Sequence, residues 1–290
     1  MSIIELKDVN FIYGKKTPYE IHALENINLT IEQGSVTGII GHTGSGKSTL
    51  IQMLNGLVKP ESGKVLVKGQ DIWEKPKEIS KIRHIVGMVM QYPEYQLFAD
   101  TVRDDIAFGP KNMGIPEEEI AKRIEESAKF CGINEETLEK SPFDLSGGQK
   151  RRVALAGVMA MDPEILVLDE PAAGLDPRGR REILGGITEY KAKSQKTIVI
   201  VSHSMEDMAL YCDNIIVLAH GKVLTSGSCK DVFSQRELIH EAGLDVPEIT
   251  NTVHALREKG IKIPNSIYTV EDAFCEIKKY IECGGDASEF

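Results

Sequence analysis

Hydrophobic and polar positions alternate through Asn26-Ile27-Asn28-Leu29-Thr30-Ile31. That period of two sets one strand face in a core and the other in water. The first 35 residues read as strands of this half-buried kind. Val65-Leu66-Val67, followed by Lys68-Gly69, predicts another short strand and a turn. Four runs differ in kind: Val36 to Ile40, Ile165 to Leu168, Thr197 to Val201 and Ile215 to Leu218. They are short and almost wholly apolar, as strands buried on both faces of a parallel sheet are. Helical patterns lie between them, so the fold class is α/β. Residues 92 to 163 contain no comparable buried strand. There Pro116 precedes Glu117-Glu118-Glu119-Ile120-Ala121-Lys122-Arg123-Ile124, an amphipathic helix with acid at its start. The stretch is a mainly helical insertion. From about residue 226 the pattern changes again. Val270, Ala273, Phe274, Ile277 and Ile281 recur at helical spacing, with Thr269 as N-cap and Gly284-Gly285 as stop. Ile249, Val253 and Leu256 suggest another helix.

Length and charge narrow what such a chain does. At 290 residues it fits one large domain or one with an appendage. Lys and Arg number 34 against 44 Asp and Glu, a net charge of −10. With no long basic run, binding to nucleic acid is not expected, nor is direct adhesion to anionic lipid. The tail from 226 to 290 holds 7 basic and 12 acidic residues, 7 − 12 = −5, half of the total. No run of apolar residues is long enough to span a bilayer. The start, Met1-Ser2-Ile3-Ile4-Glu5, lacks the pattern of a secretory signal. Cys131, Cys212, Cys229, Cys275 and Cys283 form no metal-binding spacing and read as free thiols of a reducing cytosol.

The candidate chemistry begins at Gly41-His42-Thr43-Gly44-Ser45-Gly46-Lys47-Ser48, which fits G-x-x-x-x-G-K-[ST]. The motif sits where its chemistry requires, between the buried run 36–40 and a helical run from Lys47 to Asn55. Glycines let backbone N–H groups turn toward phosphates, and the helix N-terminus adds a positive dipole end. Lys47 is expected to reach the β- and γ-phosphates, Ser48 to ligate Mg²⁺ and Thr49 to donate to the α-phosphate. The run Ile165 to Leu168 ends in Asp169-Glu170. Two readings stand. Asp169 holds the hydration shell of Mg²⁺ and Glu170 faces the attacking water as general base, or Asp-Glu-Pro simply caps a helix. The phosphate loop in the same chain favours the first. Leu145-Ser146-Gly147-Gly148-Gln149 carries a Ser-x-x-Gln capping box whose middle is Gly-Gly. An ordinary cap does not require two glycines; a helix start that offers N–H groups to an anion does.

In this order, with Asp169 twenty positions beyond Gln149, the motifs resemble those of an ATP-binding cassette (ABC) ATPase, from about residue 3 to 225. The resemblance implies a P-loop NTPase with an N-terminal antiparallel β-subdomain, a mainly parallel core sheet and a helical subdomain over about 92–163. It makes 1–225 the ATPase domain and 226–290 a small helical C-terminal extension. It further implies that Gln91, after the strand-like Val86 to Met90, senses the γ-phosphate and Mg²⁺. His203 becomes the switch histidine, and Ala173-Gly174-Leu175-Asp176 the D-loop. Tyr13 stands where an aromatic ring stacks on adenine. Strand packing is its other reading, and Tyr19 is a weaker competitor. In this family Ser146, Gly147, Gly148, Gln149 and Asp176 act in trans, closing over the phosphate loop of a second cassette. The cofactors implied are ATP and Mg²⁺.

Gln91-Tyr92-Pro93-Glu94-Tyr95-Gln96-Leu97-Phe98 and Gly109-Pro110-Lys111-Asn112 are similar to segments of energy-coupling factor (ECF) transporter ATPases. His42-Thr43, Leu244 to Thr250 and Ile267 to Ala273 resemble the A-prime type, one of two paralogous ATPases. The implied partners are that paralogous ATPase, a transmembrane T subunit and a membrane S subunit that captures a vitamin or transition-metal ion. The chain itself would not touch the solute and would sit at the cytoplasmic face of the membrane. Glu94, Asp100, Asp104 and Asp105 either meet arginines of the T subunit or form a solvated face. The tail either contacts the other ATPase's tail or packs on its own domain. A soluble ABC ATPase acting on ribosomes or DNA is the main alternative. A non-hydrolytic regulator conflicts with the presence of both Glu170 and His203.

Overall fold

The computed structural model describes residues 1–282. The predicted stop at Gly284-Gly285 and Cys283 lie outside the described residues. The N-terminal alternation builds a four-stranded antiparallel sheet in the order β2-β1-β4-β5. Its strands are β1 (Ser2–Tyr13), β2 (Ile21–Glu32), β4 (Ser62–Val67) and β5 (Gln70–Asp71). Tyr13 pairs with Ile21 at the end of the β1–β2 ladder.

The apolar runs form the second sheet. Strands β3 (Val36–Gly41), β6 (Val86–Val89), β7 (Ile165–Asp169), β8 (Thr197–Val201) and β9 (Asn214–Ala219) are parallel, and β10 (Lys222–Ser228) closes one edge antiparallel to β9. The order is β10-β9-β3-β8-β7-β6. Period-two alternation explains why these strands tolerate no polar side: each feeds two cores. Ile165 and Val167 of β7 join the antiparallel sheet and α1 (Lys47–Leu54) in one. Leu166 and Leu168 join the other, with the helices of the opposite layer.

Between β6 and β7 lies the helical insertion. After α2 (Ile79–Ile85), which leads into β6, come α3 (Val102–Asn112), α4 (Glu117–Phe130), α5 (Glu135–Leu138) and α6 (Gly147–Ala160). Helix α7 (Pro177–Ser194) and α8 (Met205–Tyr211) follow β7 and β8. The ends of the parallel strands, where ligands bind in such sheets, thus face loops from both halves.

The change of pattern at residue 226 falls inside a strand. Pairing of β10 with β9 continues to Ser228 opposite Asn214. A polar edge strand, Thr225-Ser226-Gly227-Ser228, lacks the apolar signal that marks a buried one. Beyond it come α9 (Cys229–Phe233), α10 (Arg236–Glu241), α11 (Glu248–Glu258) and α12 (Val270–Glu282). Val232, Phe233 and Ile239 enter the main core. Val253, Ile261, Ile263, Ile267 and Ala273 form a separate small one. Thr269 stands just before helix α12, and its Oγ1 accepts from the Asp272 N–H at 3.2 Å. The helix's apolar stripe is mostly uncovered: Val270 is 64% and Phe274 67% exposed, and Ala273 is buried.

This split predicts two contrasting substitutions. Ile263→Ala removes a 5% exposed side chain from the small core and should cost about 2–5 kcal/mol. Phe274→Ser should change the stability of the isolated chain by no more than about 0.5 kcal/mol. Denaturant unfolding of the free chain checks both.

Candidate functional site

A cleft of about 340 Å³ opens where β3, β7 and β8 end. It is lined by Tyr13, Thr43, Gly44, Gly46, Lys47, Ser48, Thr49, Gln91, Asp169, Glu170 and His203, with Ile21, Ala23 and Val201 beside them. Residues from six separate stretches of sequence meet here. Gly41, His42 and Ser45 support the loop from behind instead of lining the cleft. Gly41 is the last residue of β3, and Ser45 is wholly buried. The His42 ring lies 5.0 Å from that of His220, in the β9–β10 turn. The same turn receives the loop's backbone, since the Gly221 N–H donates to the Ser45 carbonyl at 3.2 Å.

The loop's shape is set by backbone freedom. Gly46 has φ 103°, and a Cβ there would stand 2.5 Å from the Ala23 carbonyl oxygen. No L-side chain fits that conformation in that space. Helix α1 starts at the next residue, so its free N–H groups point where an anion would lie. Lys47 is 7% exposed and donates from Nζ to the Gly41 carbonyl at 2.6 Å and the His42 carbonyl at 3.0 Å. Burial pulls its pKa down, while the nearby Glu170 and Asp169 oppose that shift.

Asp169 ends β7, and Glu170 turns the chain sharply with φ 52°. A left-handed conformation at a non-glycine residue is costly and clusters at functional sites. Here the Glu170 N–H is held by the Val201 carbonyl at 2.9 Å, which fixes the turn to the neighbouring strand. Burial raises the Asp169 pKa. Burial, and then the charge of Asp169, push Glu170 up to about 7, the range suited to a base working near neutrality. Glu170 Oε1 lies 3.5 Å from His203 Nε2 and has no hydrogen-bond partner among the described residues. Burial, and then the Lys47 charge, lower the pKa of His203, which favours the neutral ring. Ser48, Gln91 and Asp169 all line this cleft, and their oxygens are hard donors of the kind that suit a small divalent cation.

Tyr13 is 43% exposed and packs edge-on to Phe11 at 4.8 Å. Its hydroxyl shares a hydrogen bond with Thr49 Oγ1 at 3.1 Å. Tyr13 thus packs on the strand and also lines the cleft. Tyr19 is 82% exposed and does not line it.

The Leu-Ser-Gly-Gly-Gln segment lies elsewhere. It borders a second cleft with Gln91, Tyr92, Glu94, Arg151, Ala173, Gly174 and Leu175. The two clefts have Gln91 in common. The capping box is complete: the Gln149 N–H donates to Ser146 Oγ at 3.4 Å, and Gln149 Oε1 accepts from the Ser146 N–H at 2.9 Å. The side chain of Gln149 is thus committed to the cap. Nothing stands within 4 Å of a Cβ built on Gly147, so the start of α6 is open to an incoming group. Asp176 caps α7, its Oδ1 accepting from the Gly179 N–H at 2.8 Å.

The acidic segment after Gln91 is less free than its sequence suggests. Glu94 has a side chain 21% exposed and faces Arg151 at 3.6 Å. Asp105 Oδ2 accepts from the Phe98 and Ala99 N–H groups at 3.0 and 2.9 Å, holding the loop. Asp104 bonds Thr101 at the start of α3 and lies 3.6 Å from Lys111. Asp100 is exposed. Motif spacing does not reveal Arg151 as a buried residue between loops. Its one sequence signal is a position one turn into α6, on the side of buried Leu155.

Comparison with known proteins bears on the family and the fold. The family model described as ABC transporter matches residues 24–173. The chain is 51% identical over 278 residues to the energy-coupling factor transporter ATP-binding protein EcfA2 of Caldanaerobacter subterraneus subsp. tengcongensis, covering 96% of this chain and 97% of that one. Among solved structures it resembles cbiO1 from Clostridium perfringens, part of the ABC transporter complex cbiONQ. The TM-score is 0.74 and the identity 42%, covering 87% of this chain and 99% of that one. It also resembles the dimeric structure of an ATP-binding cassette in a post-hydrolysis state bound to ADP and Pi. There the TM-score is 0.71 and the identity 30%, covering 78% of this chain and 98% of that one.

The loop geometry separates two glycines. Gly44 has φ 80° and open space around its Cβ position, so Gly44→Ala should cost about 1–2 kcal/mol, the conformational penalty alone. Gly46→Ala adds the clash with Ala23 and should lower the apo melting temperature further and abolish phosphate binding. Thermal melts with and without nucleotide check the order.

Proposed function

The chain belongs to the ABC transporter ATPase family, and from that premise we propose how its residues divide the work of an ECF importer motor. ATP binding and hydrolysis by this subunit are coupled to transport. Thr43, Gly44 and Gly46 to Thr49 cradle the phosphates, with Gly41, His42 and Ser45 holding the loop from behind. Lys47 reaches the β- and γ-phosphates, and Tyr13 stacks on the adenine. Ser48, Asp169 and Gln91 would hold Mg²⁺, Asp169 through water, and the ion would supply positive charge to the phosphates. Glu170 takes the proton of the attacking water, and His203, neutral in this setting, helps pose that water beside the γ-phosphate.

The observation that carries the reading is the separation of the two clefts. Gly147 and Gly148, on the helix capped by Ser146, line the cleft that does not hold Lys47. A second cassette's nucleotide gives that helix start an anion to meet. Gln149 serves by keeping the cap shut and Asp176 by capping α7, so both shape the surface offered in trans. The motor is therefore half of a pair, and its partner is a paralogous cassette. The uncovered stripe of α12 fits a contact between the two tails. Among the described residues no helix is long and apolar enough to cross a membrane. The chain docks at the cytoplasmic face on a T subunit, through the loop after Gln91. A separate S subunit captures the vitamin or metal ion.

Glu170→Gln keeps the shape of the side chain and removes the base. ATP should still bind, and turnover in the assembled complex should fall by about 10²–10⁴. Steady-state ATPase assays beside nucleotide binding measure this. Turnover near the wild-type rate would assign the base elsewhere.

A further inference from the structure

We infer that Arg151 is a positioning residue that makes the signature helix of this cassette follow its own transporter-facing loop. The inference deepens the reading above and rests on it. Arg151 stands one turn into α6, just beyond Gly147 and Gly148, and is 7% exposed. A guanidinium is rarely buried so far without a fixed set of acceptors. Here two backbone carbonyls accept from it and one carboxylate is its counter-charge. Nη2 donates to the Gln91 carbonyl at 3.0 Å, and Nη1 donates to the carbonyl of Ala173. Nη2 also lies 3.6 Å from Glu94 Oε2, which has no hydrogen-bond partner among the described residues.

These groups belong to two working parts. Gln91 and Glu94 lie in the loop after β6, and Ala173 in the turn after β7. The neighbouring Arg152 shows the contrast: it bonds the Cys131 carbonyl and Glu182, which join helices to one another and reach neither loop. Two of the Arg151 bonds go to backbone carbonyls, so they follow the path of the chain whatever side chains it bears. A guanidinium holds two acceptors in fixed directions within one plane; a lysine ammonium is a point charge that cannot. The half-buried Glu94 carboxylate in turn has Arg151 as its counter-charge, so neither residue leaves the pocket alone without stranding the other. A shift of Gln91 to Glu94 therefore drags the guanidinium, and with it the first turn of α6. That turn carries the glycines offered to the second cassette's nucleotide. Arg151 touches no nucleotide of its own chain, because the cleft it lines is not the one that holds Lys47.

The test uses the assembled transporter with Arg151→Lys and Arg151→Gln, and Gly148→Asp as control. Four quantities are read: melting temperature, ATP affinity of the free chain, kcat, and solute moved per ATP. The inference predicts that both Arg151 variants fold and bind ATP within about twofold of wild type, while kcat falls at least about tenfold with KM little changed. Solute moved per ATP should fall as well, since loop and signature no longer move together. Wild-type kcat and transport per ATP in both variants would overturn the inference. So would a parallel loss of melting temperature, affinity and kcat, or failure of both variants to fold, since either assigns Arg151 to stability alone. If Gly148→Asp also hydrolyses at the wild-type rate, the signature reading itself fails. Inert Arg151 variants beside a dead Gly148→Asp sink the present inference and leave that reading standing.

Discussion

One buried charge organises this molecule: the Lys47 ammonium, drawn in among the carbonyls of Gly41 and His42 and close to the carboxylates of Asp169 and Glu170. A cation taken out of water is stable only where acceptors and counter-charges are fixed in advance. That requirement accounts for much of the fold around it. The acceptors are fixed because β3 ends at Gly41 and α1 begins at Lys47, with Gly46 in a conformation that closes the loop between them. The counter-charges are fixed because β7 lies two strands away in the same parallel sheet and ends level with the loop. The buried apolar strands are the frame that holds these ends in register. Their price is a sheet with no polar face, which must be covered by a core on each side.

On the proposed reading, the same constraint makes one cassette half a motor. Lys47 and the helix dipole of α1 would satisfy one side of a polyphosphate and leave the other side to solvent. The Gly147-Gly148 helix start borders the other cleft, with open space at Gly147. In the proposed pair, each chain completes a cleft of the other. Gln91 borders the two clefts of one chain, and Arg151 joins its backbone to the signature helix. The route from docking loop to trans-acting surface is therefore a few residues long.

What the sequence makes legible is local. The phosphate loop, the strand-end carboxylates and the capping box are each written in fewer than ten consecutive residues. Their spacing alone implies the backbone shape that their chemistry needs. The buried strands are legible because a parallel sheet has no wet face. The misses are of a different order. Residue 226 looks like a boundary because β10 is a polar edge strand with one neighbour. The stripe on α12 is a true helical stripe, but periodicity says which residues share a face and not what covers them. Glu94 reads as free acid because its counter-charge lies 57 residues further along the chain, at Arg151. The left-handed turn at Glu170 has no sequence mark at all; it follows from the bond to Val201 on the adjacent strand.

The composite site is the claim on which the rest depends, and the location of trapped nucleotide in the assembled transporter tests it most directly. Gly148→Asp in this chain alters its signature and leaves its own phosphate loop intact. Vanadate-trapped, photolabelled nucleotide should then fall on the second, paralogous cassette and stay near the wild-type level on this chain. Label lost from this chain instead, or unchanged on both cassettes, would contradict the account.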